Sequence, residues 1–318
     1  MSAVFLDYAT VDDGDLDPRN MQASAPGLRL LANTPQSGVI EAIKDCEIVL
    51  LNKLKITAEV MAASPKLRLI ALSATGTNNI DLVAAAERGI AVCNIRDYCT
   101  PSVVQHVLGT LLMLTHRLRE YSRMAVDGTW SRSQHFTLLT HPIRELQGLT
   151  LGIVGYGVLG QAVANACQSA LGMKVLVANR QGEAAQVGRI ALDDLLQQSD
   201  VVSLHCPLTE QTRHLLDARR LSLMKRDAIL INTARGALVD LDALANALRA
   251  GRLGGAAIDV LPEEPPVSGS PLFADDLPNL IVTPHTAWAA RDSRQRCLDE
   301  IAANITDWRA GGRRGRVV

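Results

Sequence analysis

Four short stretches carry residue types whose spacing could do chemistry. Gly155, Gly157 and Gly160 stand in GYGVLG with G-x-G-x-x-G spacing, after the apolar run LTLGIV and before the helical run QAVANACQSA. In such a turn the first glycine permits the tight reversal and the second lets the main chain approach a pyrophosphate. The third lets helix and strand pack closely, and the helix N-terminus points its N–H groups at the phosphates. A purely structural strand-to-helix turn has the same letters, so the pattern gains weight only from its flanks. Arg235 directly follows the apolar run AILINTA. Its five fixed donors suit a planar carboxylate, and a surface turn before glycine is the plain alternative. Asp259 and the pair Glu263–Glu264 lie in AAIDVLPEEPP, a strand end running into a proline-rigid acidic turn that also reads as a solvated loop. His285 follows Pro284 in VTPHTAW. An imidazole there can move a proton near neutral pH or simply close a loop.

Chemistry at those positions requires elements that end there. In an open α/β sheet the carboxyl ends of the strands line the ligand crevice. The second half of the chain alternates apolar runs (LTLGIVGYG, MKVLVAN, DVVSLHCP, AILINTA, GAAIDVLP, LIVTPHTA) with helical stretches (LGQAVANACQSALG, ALDDLLQQS, ARRLSLMKRD, DLDALANALRAG). The first hundred residues alternate in the same way. AVFLDY, LRLLAN, CEIVLLN, LRLIALSA and IAVCN read as strands, and GVIEAIKD, TAEVMAAS and DLVAAAERG as helices. Alternation of this kind implies parallel βα units. A long apolar helix is expected over 102–125 after Pro101, then a polar connecting arm over 127–148, and a last helix in RDSRQRCLDEIAANITDWRAGG. The fold class is α/β, with two doubly wound parallel-sheet domains.

Composition agrees. The length of 318 residues suits about two domains. With 47% hydrophobic but only 3% aromatic residues, the core must rest on aliphatic side chains, as buried parallel strands do. A net charge of −1 with both signs interspersed argues against a nucleic-acid footprint. MSAVFLDYAT has no basic, long-apolar signal character, and no apolar run reaches the roughly 18 residues a membrane span needs. The six cysteines are scattered without a CxxC pair, which fits reduced thiols in the cytoplasm better than a disulfide frame or a metal site.

Taken together, GYGVLG, LHCPLTEQTRHLL, LMKRDAILINTARGALVD, GAAIDVLPEEPP and TPHTAW occur in order, and ATGTNNIDLVAAAERGIAVCN precedes them. In these stretches the chain resembles the D-isomer-specific 2-hydroxyacid dehydrogenase family over nearly its whole length. The resemblance implies a flavodoxin-like substrate domain from residues 1–99 plus 289–318 and a Rossmann NAD(P)-binding domain from 100–288. It implies an oxidoreductase in which Arg235 binds the substrate carboxylate and polarises the keto oxygen. His285 serves as general acid or base, and Glu264 pairs with the imidazole and keeps its proton available. Glu263 is expected to face solvent. Thr75 and Gly76 would hold the carboxylate through main-chain N–H groups. Asp259 would accept from the nicotinamide carboxamide, Cys206 and Pro207 would line the adenine side, and Thr233 and Ala234 the nicotinamide side. Val158, Leu159, Thr212 and Ala287 complete the expected cofactor contacts.

Within the family, SRSQHFTLL, NKL (52–54) and HTAW are similar to the bacterial glycerate dehydrogenase (hydroxypyruvate reductase) subgroup. Hydroxypyruvate is therefore the expected substrate, with glyoxylate or another short 2-keto acid as the alternative. Lys53 is the one base placed near the substrate turn, and Trp288 either walls the pocket or packs at a hinge. A more distant alternative is a dinucleotide-sensing, corepressor-like binding protein. Asn179 and Arg180 stand where NAD-specific members of the family carry an acid that holds the adenosine ribose, and no acid follows before Glu183. A neutral Asn179 does not repel a 2′-phosphate and Arg180 can pair with one, so NADP is favoured over NAD; the alternative has Arg180 in solvent and Asn179 bonding the ribose of NAD. The resemblance also implies a homodimer formed through the cofactor domain, with no nucleic-acid or membrane partner and no metal.

Overall fold

Five apolar runs at the start of the chain make one sheet. In chain order the elements are β1 (Ala3–Phe5), α1 (Arg19–Ser24), β2 (Arg29–Leu30), α2 (Val39–Ile43), β3 (Ile48–Leu51), α3 (Ala58–Ala62), β4 (Leu69–Leu72), α4 (Leu82–Glu87) and β5 (Ala91–Cys93). The strands are parallel and lie in the order β2-β1-β3-β4-β5. Every residue of β3 and β4 is buried, because helices cover both faces of a parallel sheet. Helix starts are set by side-chain caps: Thr57 accepts from the Val60 N–H at α3, and Asp81 from the Ala84 N–H at α4.

A second series follows: α5 (Thr100–Thr115), α6 (Leu118–Val126), β6 (Thr150–Val154), α7 (Val158–Leu171), β7 (Lys174–Val177), α8 (Leu192–Gln198), β8 (Val201–Leu204), α9 (Ala218–Leu223), β9 (Ile229–Asn232), α10 (Leu241–Arg249), β10 (Gly255–Ile258) and β11 (Leu280–Val282). These six strands are also parallel, in the order β11-β10-β9-β8-β6-β7. The last helix, α11 (Arg291–Arg309), packs on α1 and β4. The computed structural model describes residues 2–180, 182 and 186–318. The chain divides into two compact units, Met1–Cys99 with Trp288–Val318, and Thr100–Ala287.

The single helix expected over 102–125 is two helices. Arg117 adopts the left-handed conformation (φ 52°) and separates α5 from α6. The Thr115 carbonyl at the end of α5 accepts from the Arg144 N–H of the connecting arm, and the Thr115 hydroxyl bonds back to the Leu111 carbonyl. The helix is closed by the arm rather than continued. Between Val126 and Thr150 lie turns and extended chain. Among the described residues, all six cysteines are free thiols and no helix is long and apolar enough to cross a membrane.

Candidate active site

In the second unit, β9, β10 and β11 are neighbours, and each ends in a candidate reactive side chain. Arg235 follows β9, where Asn232, fully buried, organises the turn. The Asn232 Oδ1 accepts from the Ala234 N–H at 3.0 Å, and its Nδ2 donates to the Arg235 carbonyl at 2.9 Å. Gly236 is required next, because a Cβ there would lie 2.1 Å from the Leu261 carbonyl carbon. The Arg235 guanidinium donates to the Ala234 carbonyl at 2.7 Å.

Beyond β10, Glu264 returns toward the sheet. Its Oε1 accepts from the Leu261 N–H at 2.9 Å, which fixes the carboxylate against its own loop. Its Oε2 lies 2.7 Å from Nδ1 of His285, beyond β11. An ionised Glu264 can only accept, so Nδ1 carries the proton in this pair and Nε2 is the nitrogen left for a substrate. Both side chains are partly exposed, His285 at 26% and Glu264 at 32%. His285 sits at φ 55°, a left-handed conformation that a non-glycine residue keeps only when its surroundings hold it. Glu263 is exposed.

The hold on His285 comes from Asp259, which is 2% exposed. Its carbonyl accepts from the His285 N–H at 2.8 Å. Its Oδ1 accepts from the Thr286 N–H at 2.8 Å and the Thr283 hydroxyl at 2.5 Å, and its Oδ2 from the Ala287 N–H at 3.0 Å. The family resemblance implies a cofactor contact for Asp259; the hydrogen bonds to its carboxylate come from the loop that carries His285. Ala287 itself is buried.

The glycine turn lies at the carboxyl end of β6. The chain runs from β6 out to β7 and back past β6 to β8, so the turn occupies the switch point of the sheet. Gly155 has φ 96°, and a Cβ there would lie 2.5 Å from the main chain of His205 and Cys206, beyond β8. At Gly160 a Cβ would lie 2.0 Å from the Gly155 carbonyl oxygen. At Gly157 a Cβ would meet nothing within 4 Å among the described residues. Gly157 is also the N-cap of α7 and offers no side chain to the first N–H groups of that helix. Val158 is exposed and Leu159 half-buried. Thr233 Oγ1, at the end of β9, is buried with no partner among the described residues. An open glycine cradle, a helix start without a side-chain cap and an orphaned hydroxyl fit a bound dinucleotide.

The remaining candidates fall nearby in chain and sheet. Cys206 is half-buried, and burial pushes its thiol up to about 11; Pro207 is exposed. Thr212 closes their turn: its hydroxyl donates to the Pro207 carbonyl at 2.8 Å and accepts from the Thr209 N–H at 2.7 Å. His205 bonds Ser203 Oγ at 2.8 Å, and burial lowers it to about 4, so it is neutral at pH 7. Asn179 Oδ1 accepts from the Gln186 N–H at 3.1 Å, and Arg180 is exposed. Glu183 lies outside the described residues.

In the first unit, Thr75 and Gly76 follow β4. The Thr75 hydroxyl donates to the Ile95 carbonyl at 2.8 Å, and its own carbonyl accepts from Asn94 Nδ2 at 2.7 Å. Lys53 is exposed beyond β3. The main chain there is held by Asp7, whose two oxygens accept from the N–H groups of Asn52 (2.8 Å) and Lys53 (2.7 Å). Trp288 packs edge-on against Tyr98, with ring centroids 6.2 Å apart. Sequence reasoning missed Asp7 and Asn232, since neither has a local signal for a partner.

Comparison with known proteins now gives the class. Residues 108–287 match the model of the D-isomer specific 2-hydroxyacid dehydrogenase NAD binding domain. The chain is 44% identical over 278 residues to a glycerate dehydrogenase of Methylorubrum extorquens, covering 87% of each chain. It is 35% identical over 317 residues to a hydroxypyruvate reductase of Blautia hydrogenotrophica, covering 98% of each. A solved acyclic imino acid reductase, Bsp5, bound to NADPH and D-Arg, is 25% identical with a TM-score of 0.87 and full coverage of both chains. The chain belongs to the family of D-isomer specific 2-hydroxyacid dehydrogenases. It is an oxidoreductase acting on the CH–OH group of a 2-hydroxy acid with a nicotinamide cofactor.

Proposed function

We propose that this enzyme interconverts hydroxypyruvate and D-glycerate, with glyoxylate as a smaller alternative substrate. The observation that carries the chemistry is the 2.7 Å pair of His285 Nδ1 and Glu264 Oε2 beside Arg235, on three neighbouring strand ends. The names borne by the Methylorubrum and Blautia relatives favour these substrates. Bound at the glycine turn, the cofactor supplies hydride to the 2-carbon in reduction and takes it back in oxidation. Arg235 binds the carboxylate of the keto acid and draws charge onto the carbonyl oxygen. His285 Nε2 delivers the proton to that oxygen, and Glu264 orients the ring and offsets the imidazolium charge. In the reverse direction the neutral imidazole takes the hydroxyl proton.

Gly155, Gly157, Val158, Leu159 and Gly160 are assigned to the cofactor's phosphates. Thr233, Ala234, Asp259 and Ala287 are assigned to its nicotinamide side, and Cys206, Pro207 and Thr212 to its adenine side. Lys53, Thr75, Gly76 and Trp288 are the first unit's candidates for substrate binding. Residues 1–99 with 289–318 form the substrate domain in this reading, and 100–288 the cofactor domain. NADP(H) is the preferred cofactor. The side chain of Asn179 is neutral and Arg180 is exposed beside it, and the Bsp5 structure contains NADPH.

The enzyme works as a homodimer in the cytoplasm. Supporting the dimer, Leu118, Val126, Trp130, Phe136, Leu139 and Ile143 of α6 and the arm are all exposed. They surround surface cavities of about 670 and 320 Å³, and such a patch marks an interaction surface. Sedimentation showing only monomer would reject the dimer. The six free thiols fit a reducing compartment, and recovery of the protein in an oxidising compartment of its cell would reject the cytoplasm. The deciding experiment assays hydroxypyruvate, glyoxylate and pyruvate with NADPH and with NADH. Hydroxypyruvate with NADPH should give the highest kcat/KM, and His285→Ala should abolish turnover while still binding NADPH. Turnover of none of these acids by folded, cofactor-bound protein would overturn the reading.

A further inference from the structure

The five residues Thr283–Ala287 that present His285 are secured at both ends by one helix. Ser102 and His106 lie one turn apart on α5, a spacing that puts them on the same face. Ser102 Oγ donates to the Ala287 carbonyl at 2.7 Å. His106 Nε2 lies 3.4 Å from the Thr283 hydroxyl and 3.9 Å from Asp259 Oδ1. Both side chains are well covered, with Ser102 7% exposed and the His106 side chain 16%.

The hydrogen bonds fix a direction. Thr283 has a single hydroxyl proton, and at 2.5 Å it belongs to Asp259, which can only accept when ionised. Thr283 therefore accepts from His106, and the proton of His106 sits on Nε2. The chain of donation runs His106 to Thr283 to Asp259. Asp259 in turn takes the N–H groups of His285, Thr286 and Ala287. Pro284 has no N–H to add, so the loop hangs almost wholly from Asp259, while α5 braces its first and last residues. His285 at φ 55° needs such a frame.

We propose that Ser102 and His106 are positioning residues for His285: through Ala287, Thr283 and Asp259 they hold the imidazole at the angle that proton transfer requires. The inference rests on the reading of His285 as the proton donor. Neither residue is assigned to substrate or cofactor, and both bond the His285 loop, so their loss acts first on the chemical step. A displacement of the acid by about 1 Å can slow that step about 100-fold.

The test compares Ser102→Ala, His106→Leu and His106→Gln with the unaltered enzyme and His285→Ala. The readouts are the single-turnover rate of NADPH oxidation by hydroxypyruvate, the KM for that acid, the NADPH Kd and the Tm. His106→Leu should slow the single turnover by about tenfold, with KM and Kd unchanged. Ser102→Ala should slow it less. His106→Gln, which keeps an N–H donor near the Nε2 position, should recover most of the rate. Unaltered rates in Ser102→Ala and His106→Leu, with His285→Ala inactive, would overturn this inference and leave the proton-donor reading standing. Equal losses in His106→Gln and His106→Leu, tracking a lowered Tm, would reduce His106 to a structural residue and overturn it too. Activity in His285→Ala would overturn both readings. If His106→Leu does not fold, an unchanged rate in Ser102→Ala overturns the proposal and a slowed rate with unchanged KM and Kd sustains it.

Discussion

The two sheets share a topology yet treat the same position in opposite ways. In each, the chain leaves a strand, adds one neighbour on one side, then crosses back to add the next strand on the other. That crossing opens a crevice beyond the carboxyl ends of β1 and β3 in one sheet and of β6 and β8 in the other. In the first unit the crevice holds the protein's own anion. The Asp7 carboxylate takes the N–H groups of Asn52 and Lys53, one to each oxygen, and is 5% exposed. In the second unit the corresponding place is Gly155–Gly157, where α7 begins behind a glycine cap and a Cβ at Gly157 would reach open space. One crevice is filled from within; the other offers main-chain donors to an anion from outside. Topology marks where a ligand can bind, and the side chain at the turn decides whether one does.

The sharpest way to break the comparison is to make the second crevice resemble the first. Gly157 has an ordinary φ of −84° and room for a side chain. Gly157→Asp should therefore fold, and its carboxylate would cap α7 as Asp81 caps α4. It would also stand where the proposed reading places the cofactor's pyrophosphate. Like charges set against each other cost several kcal/mol, so NADPH affinity should fall about 100-fold or more while Tm holds or rises. Gly157→Ala is the steric control and should lose far less. Unaltered NADPH affinity in Gly157→Asp, measured by titration of nicotinamide fluorescence, would mean that this turn does not hold the cofactor.

The opposite change empties the first crevice. Asp7→Asn keeps the shape but replaces one acceptor oxygen by an NH₂ group facing a main-chain N–H. Leaving a buried donor unsatisfied costs about 1–3 kcal/mol, so the urea midpoint should drop visibly. NADPH Kd should stay within about twofold, because Asp7 belongs to the first unit. A stability equal to that of the unaltered protein would show that the clamp between β1 and β3 contributes nothing.

Much of the second unit was legible in the sequence, and the reasons are local. Glycines at fixed offsets between an apolar run and a helical run require a strand, a turn and a helix. Arg235, Glu264 and His285 stand just past apolar runs, where strand ends deliver side chains to one edge. What stayed hidden depends on distance along the chain. Asp7 is one acid in LDY, and its partners lie 45 and 46 residues away. Asn232 reads as the tail of a strand, although its amide shapes the turn at Arg235. The break at Arg117 has no proline or glycine to announce it, since the arm's Arg144 N–H closes α5 from outside. Ser102 and His106 had a faint signal, two polar residues four apart on an apolar helix, which a solvent-facing stripe would share.

The smallest expected effect concerns which dinucleotide the open crevice prefers. The residues proposed to carry the difference lie at the edge of the sheet, beyond β7, where Asn179 is half-buried and Arg180 exposed. Asn179 Oδ1 is engaged by the Gln186 N–H at 3.1 Å, and an aspartate oxygen accepts from the same donor. Asn179→Asp therefore keeps the local hydrogen bond and adds one negative charge beside the expected 2′-phosphate position. In a partly exposed site such a charge is worth up to about 1 kcal/mol, or about fivefold. The ratio of kcat/KM for NADPH to that for NADH should fall by about that factor, with kcat for NADH unchanged. Because the change lies at the adenosine end, the first unit and the His285 loop should be unaffected, and KM for hydroxypyruvate should stay constant. An unchanged NADPH-to-NADH ratio would place the ribose elsewhere and remove the physical ground for a preference for NADP.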